Sequence, residues 1–271
     1  MNINSLVSEV TNKPQQPKTF KQMVESPLVK KRFEEVLHNK APQFLANLVQ
    51  LANSDLQGVE PNSIFSGALL SASLDLPLNK NLGFAYLIKY GKQAQFQIGY
   101  KGFVQLAQRS GQYKRLNVIE VYKGELVKYN RLTEELELDF EKKESDEIIG
   151  YVAYFQLING FEKTSYWTIE EVKKHALQFS QTYKRGFGVW KTNFDAMAKK
   201  TVLKNMLNKW GILSIDMQKA TQFDQGTIDT DIDKIEEITE QDLIYIDNGG
   251  FKDGQINEVE FNVGEVSKDA E

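Results

Sequence analysis

Residues 95–115, QFQIGYKGFVQLAQRSGQYKR, contain the residue types that could bind a polyanion with exposed bases. The stretch combines aromatic rings, long cations and glycines, and it contains no acidic residue. Single-stranded nucleic acid needs cations along its phosphates and flat rings under its bases, and stacking contributes roughly 1–3 kcal/mol per base. The stretch therefore predicts a surface for single strands. A core hairpin that leads into an amphipathic helix is the alternative interpretation.

A helix over residues 101–111 would give this stretch a polar face without a carboxylate. That face would consist of Lys101, Gln105, Gln108 and Arg109. They follow the i, i+4, i+7, i+8 spacing of one helical face. Gly99 and Gly102 flank the helix start, where unpaired N–H groups and the positive end of the dipole can receive a phosphate. An ordinary solvated helix face would show the same spacing.

A second basic and aromatic block covers residues 182–210, TYKRGFGVWKTNFDAMAKKTVLKNMLNKW. It begins with a loop between glycines that could close over a strand through stacking and cation–π contacts. One long helix is predicted from about residue 189 to residue 210, with lysines facing a groove and tryptophans in the core. The predicted DNA-binding residues of both blocks are Gln97, Tyr100, Lys101, Gln105, Arg109, Tyr113, Lys114, Arg115, Tyr183, Lys184, Arg185, Phe187, Lys191, Lys199, Lys200 and Lys204.

The charge of the chain is divided between a basic body and an acidic tail. The net charge of the 271 residues is −4, yet residues 221–271 contain fifteen acidic and three basic residues. We therefore expect a mobile arm over residues 1–20, a DNA-binding and oligomerising core over 21–220, and a mostly disordered tail over 221–271. The tail could bind a partner or compete with nucleic acid for the basic surface. A solubilising extension is the alternative.

The composition makes several kinds of site improbable. The chain has no cysteine and two histidines, so thiolate chemistry is absent and histidine-based metal sites have few candidate ligands. It has no G-x-x-x-x-G-K-[ST] motif, so we expect no ATP site. Magnesium is possible as an aid to pairing, but no residue pattern indicates it. It also has no apolar run of eighteen residues and no signal peptide, which predicts a cytoplasmic protein without a membrane segment.

Two other functions remain as alternatives. Asp139, Glu141 and Lys143 have the D-x-E-x-K spacing of a metal-dependent nuclease. However, apolar and acidic residues alternate along this segment, which is typical of a half-buried strand with an acidic outer face. A scaffold whose main ligand is a protein, with an incidental basic surface, is the second alternative.

Periodicity and turn residues predict an α+β fold. Three N-terminal helices should begin near Pro27, Pro42 and Pro61. A hairpin with Gly91 and Lys92 at its turn should follow, and then an antiparallel sheet that includes a turn at Asn159 and Gly160. Thr168 and Glu171 fit a capping box at the start of the next helix. The long helix of the second block should end near Gly211.

The two blocks together resemble the RecT family of phage single-strand annealing proteins. The resemblance is carried by QFQIGYKGFVQLAQRSG, preceded by DLPLNKNLGFAYLIKY and followed by WKTNFDAMAKKTVLKNML, and it spans about residues 30–215. It implies ATP-independent pairing of complementary strands, retention of the nascent duplex, rings or helical filaments on DNA, and a β-rich core with a long helix lining a DNA groove. It also implies that the C-terminal tail binds the single-strand binding protein of a bacterial host. One departure is Asn205, where many relatives carry a further basic residue.

Overall fold

A computed structural model describes residues 19–212, 214–228 and 243–244 of the chain. The predicted N-terminal arm, up to residue 18, lies outside the described residues, as do residues 229–242 and 245–271 of the predicted tail. Helices and antiparallel sheets alternate along the described chain, which confirms the predicted α+β class. None of the described helices has the length and apolarity needed to span a bilayer.

The N-terminal third of the core is helical. Its helices are α1 (Phe20–Val24), α2 (Pro27–Leu37), α3 (Ala41–Asn53) and α4 (Pro61–Ser73), with a 3₁₀ turn at His38–Lys40. Proline stands in the first turn of α2, α3 and α4, where its missing N–H removes no helical hydrogen bond. The three predicted helices are therefore confirmed. Helix α4 is buried along nearly its whole length and forms the centre of this layer.

A hairpin and one helix follow this layer. The hairpin consists of β1 (Ala85–Tyr90) and β2 (Gln93–Ile98), joined by the predicted turn, in which Gly91 has a φ of 60°. Strand β2 is buried on both faces, so Gln95 lies in the core together with Phe96. Helix α5 (Tyr100–Arg109) then packs against the hairpin and against the long helix described below.

The central sheet has three antiparallel strands in the order β3–β6–β7. These are β3 (Tyr113–Tyr122), β6 (Ile148–Leu157) and β7 (Glu162–Thr168). A separate hairpin, β4 (Leu126–Asn130) with β5 (Glu135–Leu138), covers one face and buries a small cluster around Val121, Val152 and Tyr166. The opposite face, which includes Tyr151 and Phe155, belongs to the main core.

Helices from the C-terminal half of the chain complete the main core. They are α6 (Ile169–Phe179), α7 (Gln181–Lys184), α8 (Val189–Thr192), α9 (Phe194–Trp210) and α10 (Ile215–Phe223). The predicted capping box of Thr168 and Glu171 opens α6, and Gly211 ends α9. The single helix predicted over 189–210 is wrong in one respect, because Asn193 adopts φ −148° and ψ 64° and separates α8 from α9.

The first residues of the acidic segment belong to this core. Helix α10 crosses residue 220, and residues 224–228, here called the strap, continue from it along the edge of β2. Gln225 N donates to Phe96 O at 2.9 Å, and Phe96 N donates to Gly226 O at 3.0 Å. The strap ends in β8 (Thr227–Ile228), which pairs with β9 (Leu243–Ile244). It therefore supplies hydrogen-bond partners to an otherwise open strand edge.

Candidate nucleic-acid interface

Helix α5 has the amphipathic character that its spacing predicts. Lys101, Gln108 and Arg109 are exposed and Gln105 is half-buried, whereas Phe103 and Leu106 are buried. A Cβ at Gly99 would collide with the carbonyl oxygen of Gly83, and one at Gly102 would collide with that of Phe84. Both glycines are therefore required by the close approach of the 83–84 backbone, and a phosphate is not needed to explain them.

The start of α5 brings two aromatic rings and a cation together. Tyr86 and Tyr100 are half-buried, and Lys101 is exposed beside them. Both Tyr86 and Lys101 border Gly83, because a Cβ there would lie 3.1 Å from Tyr86 Oη and 3.5 Å from Lys101 Cδ. Burial, followed by the proximity of Tyr100, raises the pKa of Tyr86, so its ring stays neutral at physiological pH.

Lys199 joins this cluster from the second block. Its Nζ lies 5.5 Å from the centroid of the Tyr100 ring, within the range of a cation–π contact. The same Nζ lies 2.6 Å from Glu120 Oε1 on β3. Burial is the largest single influence and would raise the pKa of Glu120, but the hydrogen bond from Lys199, a backbone hydrogen bond and the charge of Lys199 together outweigh it, so the pKa lies below its usual value. Residues about a hundred positions apart in the sequence therefore meet here.

The glycine-flanked loop of the second block carries further exposed cations. Lys184, Arg185 and Lys191 are exposed, and Phe187 is 52% exposed at the loop tip. Tyr183, in contrast, packs its ring 5.9 Å from Trp190 and 6.5 Å from Phe194. It anchors the loop to the core, and its ring is half-buried.

The loop and the α5 cluster are connected through the sheet. Phe194 contacts the ring of Tyr151, whose hydroxyl donates to Asp195 at 2.6 Å. Tyr151 is the register partner of Glu120, which holds Lys199. The exposed cations of the loop and the Tyr100 cluster therefore share one scaffold, formed by the N-terminal half of α9 and the adjoining ends of β3 and β6.

Several predicted residues have structural partners instead. Arg109 donates to Leu74 O at 2.7 Å and Asp75 O at 2.6 Å, so its guanidinium caps the end of α4. Tyr113 Oη accepts from Ile212 N at 2.9 Å and fixes the chain after α9. Gln97 is buried and donates to Gln95 Oε1 at 2.9 Å. Its amide is used inside the core, because β2 is covered on both faces.

Lys200 and Lys204 form the clearest correction. Lys200 Nζ lies 2.7 Å from Asp224 Oδ1, and Lys204 Nζ lies 3.2 Å from Asp224 Oδ2. The Lys200 side chain is 5% exposed and that of Asp224 is 1% exposed. Ile98 N also donates to Asp224 Oδ1 at 2.9 Å. The groove predicted to contain these two lysines is thus filled by the carboxylate of the strap.

Lys114 and Arg115 are exposed at the start of β3, far along that strand from Glu120. The five residue steps from Arg115 to Glu120 correspond to about 17 Å of extended strand. Arg115 lies opposite Gln156, and the Tyr154 hydroxyl in the same region donates to Glu162 at 2.6 Å. These two cations therefore belong to a different part of the surface from the Tyr100 cluster.

The sequence interpretation missed a cleft of about 440 Å³ beside the C-terminal half of α9. Trp210, treated as a core residue from its spacing, is 39% exposed, with Lys163 Nζ 4.3 Å and Lys209 Nζ 5.0 Å from its ring centroid. His175 lines the cleft beside Trp167, and burial followed by the charge of Lys204 lowers its pKa to about 4. No local pattern marks this cleft, because four separate elements form it.

The acidic D-x-E-x-K segment does not form one continuous strand. Strand β5 ends at Leu138, and Asp139 caps a 3₁₀ turn over Phe140–Lys142. Asp139 pairs with Lys142 at 3.1 Å, whereas Lys143 pairs with Asp146 at 2.6 Å. Asp139 and Lys143 therefore have separate partners. Within the described ranges, no three His, Asp or Glu residues are grouped as a metal site.

Comparison with known proteins places this arrangement in a family. The model of the RecT family matches residues 42–240, which is more than half of the chain. The chain is 56% identical over 221 residues to the uncharacterized protein YqaK of Bacillus subtilis (strain 168), covering 80% of this chain and 76% of YqaK. It is 26% identical over 193 residues to Protein RecT of Escherichia coli (strain K12), covering 66% of this chain and 70% of that protein. The chain therefore belongs to the RecT family, which supports a role in DNA recombination by single-strand annealing.

Proposed function

We propose that this protein binds single-stranded DNA on the surface formed by Tyr100, Lys101, Lys199 and the exposed loop residues of 184–191, and that it anneals complementary strands without ATP. The observation that carries this proposal is the position of Lys199 Nζ, 5.5 Å from the Tyr100 ring. It joins the two basic and aromatic blocks in one place. If either block resembled a DNA-binding segment only by chance, the two blocks would have no reason to lie next to each other in the fold.

The chemistry of this surface suits a strand whose bases must remain free. Lys101, Lys184, Arg185 and Lys191 are exposed and can neutralise phosphates. Phe187 and Tyr100 offer rings to bases without hydrogen bonds that would read a sequence. A strand held mainly through its phosphates can present its Watson–Crick edges to a second strand.

Such a surface would accelerate annealing by positioning the strands. Neutralising phosphates reduces the repulsion between two polyanions, and an extended strand loses less conformational entropy when it pairs. No covalent bond is made or broken in this proposal, and no cofactor is invoked. The protein would then hold the nascent duplex until pairing is complete.

Coverage of a long strand requires several copies of the protein. We propose that the chain self-associates through repeated head-to-tail contacts, which generate rings or helical filaments. We also propose that the acidic residues after the strap bind the single-strand binding protein of a bacterial host, in whose cytoplasm the protein works. The excess of acidic residues after residue 228 supports this assignment to the tail.

An annealing assay tests the proposal directly. Two complementary labelled oligonucleotides are mixed with the full chain in the absence of nucleotide, and formation of duplex is followed by energy transfer. We expect the protein to accelerate pairing and the double variant Lys101→Gln, Lys199→Gln to lose most of that acceleration. Lys128→Gln, an exposed position on β4, is the matched control. Pairing that depends on ATP hydrolysis, or shortened oligonucleotides after incubation with magnesium, would contradict the proposal.

A further inference from the structure

An acidic residue, Glu120, lies beside Lys199 within the proposed DNA surface. Leu116 and Val118 of β3 face the main core, and the alternation of the strand places Glu120 on the same face, beside α9. Glu120 and Lys199 are both largely sheltered, with side-chain exposures of 23% and 18%. The carboxylate therefore has a defined position next to Lys199, unlike that of a freely moving surface residue.

The carboxylate of Glu120 is paired with the ammonium group of Lys199. The distance of 2.6 Å between its Oε1 and Lys199 Nζ is that of a charge-assisted hydrogen bond. Asp195 lies one helical turn before Lys199 on α9, but its carboxylate accepts from the Tyr151 hydroxyl at 2.6 Å. A phosphate that approaches Lys199 beside the Tyr100 ring would therefore compete with Glu120 for the same cation.

We propose that Glu120 is an internal competitor of DNA phosphate, which holds Lys199 in the free protein and limits how tightly a single strand binds. This inference rests on the proposed function. It extends that function by naming a residue that weakens binding, so that a strand can move on the surface or leave as a duplex. A carboxylate and a phosphate are both oxyanions, so each can satisfy the same donor in turn.

The exchange has a measurable thermodynamic consequence. A cation that binds phosphate ordinarily releases a condensed counterion, which contributes about 0.7 to the log–log salt slope for a single strand. When Lys199 leaves Glu120 for a phosphate, the freed carboxylate attracts a cation from solution and offsets that release. Lys199 should therefore add little to the salt slope in the unmodified protein, and its full contribution should appear once Glu120 is neutral.

The test is the variant Glu120→Gln, which keeps the shape of the side chain and removes its charge. Binding of the full chain to fluorescent oligothymidine is measured by anisotropy at several salt concentrations. Glu137→Gln, on the exposed side of β5, is the control because it changes the net charge equally. We expect Glu120→Gln to bind about three- to tenfold more tightly than the control, with a salt slope steeper by about 0.7.

A second set of variants separates this role from a general charge effect. In a Lys199→Gln background, Glu120→Gln should bring no gain beyond the control, because the competing pair no longer exists. Thermal unfolding of each variant confirms that the fold is intact. Equal affinities of Glu120→Gln and Glu137→Gln, weaker binding by Glu120→Gln, or an unchanged gain without Lys199 would each overturn the inference. Failure of the unmodified chain to bind the oligonucleotide would overturn the proposed function, and this inference with it.

Discussion

Lys199 and Lys200 are neighbours in sequence, yet they belong to two different regions of the molecule. Lys199 lies at the edge of an accessible aromatic cluster, where one carboxylate and the Tyr100 ring are its partners. Lys200 lies inside the protein, where it pairs with Asp224, whose carboxylate also accepts from the Ile98 N–H. Since successive helical residues point about 100° apart, a single residue step separates a partly sheltered cation beside the aromatic cluster from a buried one.

The comparison shows that a lysine in a basic block can have either of two physical roles. A buried ion pair repays its desolvation only when geometry and further hydrogen bonds are favourable, and loss of one partner leaves an uncompensated charge. A partly exposed pair is weaker and can exchange partners with solvent ions or a ligand. We therefore expect changes in the buried region to affect stability and changes in the accessible region to affect binding.

The largest expected effect tests the buried region. Asp224→Ala should lower the free energy of unfolding by about 3–5 kcal/mol, because it removes the buried carboxylate that pairs with both Lys200 and Lys204. Urea unfolding measures this change, and Asp216→Ala, at an exposed position of α10, is the control. Equal stabilities of the two variants would remove the distinction between the regions.

Acidification tests a second sheltered group, His175 beside the Trp210 cleft. The pKa of His175 falls from an ordinary 6.5 in the unfolded chain to about 4 in the folded chain. Between these two values, the imidazole is protonated in the unfolded chain and neutral in the folded chain. Stability from this group is fully present above pH 6.5 and is lost as the pH falls toward 4; the loss at pH 5 is about 2 kcal/mol. Urea unfolding at pH 7.5 and pH 5 measures it. The variant His175→Gln should lose less stability over this interval, and identical losses would count against the shift.

A smaller effect is expected at the loop tip of the accessible region. Phe187→Ala should weaken binding of a single strand by about 1 kcal/mol if the exposed ring stacks on a base. Fluorescence anisotropy measures the affinity, and Phe140→Ala, at a similarly exposed ring on the 3₁₀ turn after β5, is the matched control. If Phe187→Ala lowered the stability but not the affinity for a single strand, Phe187 would have a structural role and no role in binding.

The smallest effect is expected from a single cation. Lys101→Ala should decrease the log–log salt slope of single-strand binding by about 0.7, with unchanged thermal stability. Lys128→Ala, on β4, should leave the slope unchanged. If both variants decrease the slope equally, the binding would depend on net charge and the Tyr100 cluster would have no special part in it.

Local sequence patterns were sufficient to predict most of the helices and strands. Proline in the first turn of α2, α3 and α4, the capping box of α6 and the glycine turn after β1 each act within a few residues, and the structure confirms them. The break at Asn193 was missed because the helical spacing continues across it. Gln95 and Gln97 alternate with apolar residues like the exposed face of a strand, but the strap and α4 cover β2 from outside that segment.

The residues of the candidate site also divide into those that local spacing predicted and those whose role depends on distant contacts. The amphipathic face of α5 follows from residue spacing, so Lys101 was identified correctly as exposed. Arg109 has the same spacing but reaches two carbonyl groups beyond α4, more than thirty residues earlier in the chain. The Trp210 cleft required the β4–β5 hairpin, β7, α6 and α9 to meet, and no pattern within one of them could reveal it.

The amino-acid sequence by itself determined the elements, the charge of each block and the resemblance to the RecT family, because these depend on residue types and short-range spacing. The tertiary structure alone decided which cations remain accessible. Packing brought Glu120 to Lys199 and Asp224 to Lys200 from distant positions in the chain. The accessibility and charge of a side chain depend on such long-range neighbours, whereas helical and strand periodicity depend on the backbone close to it.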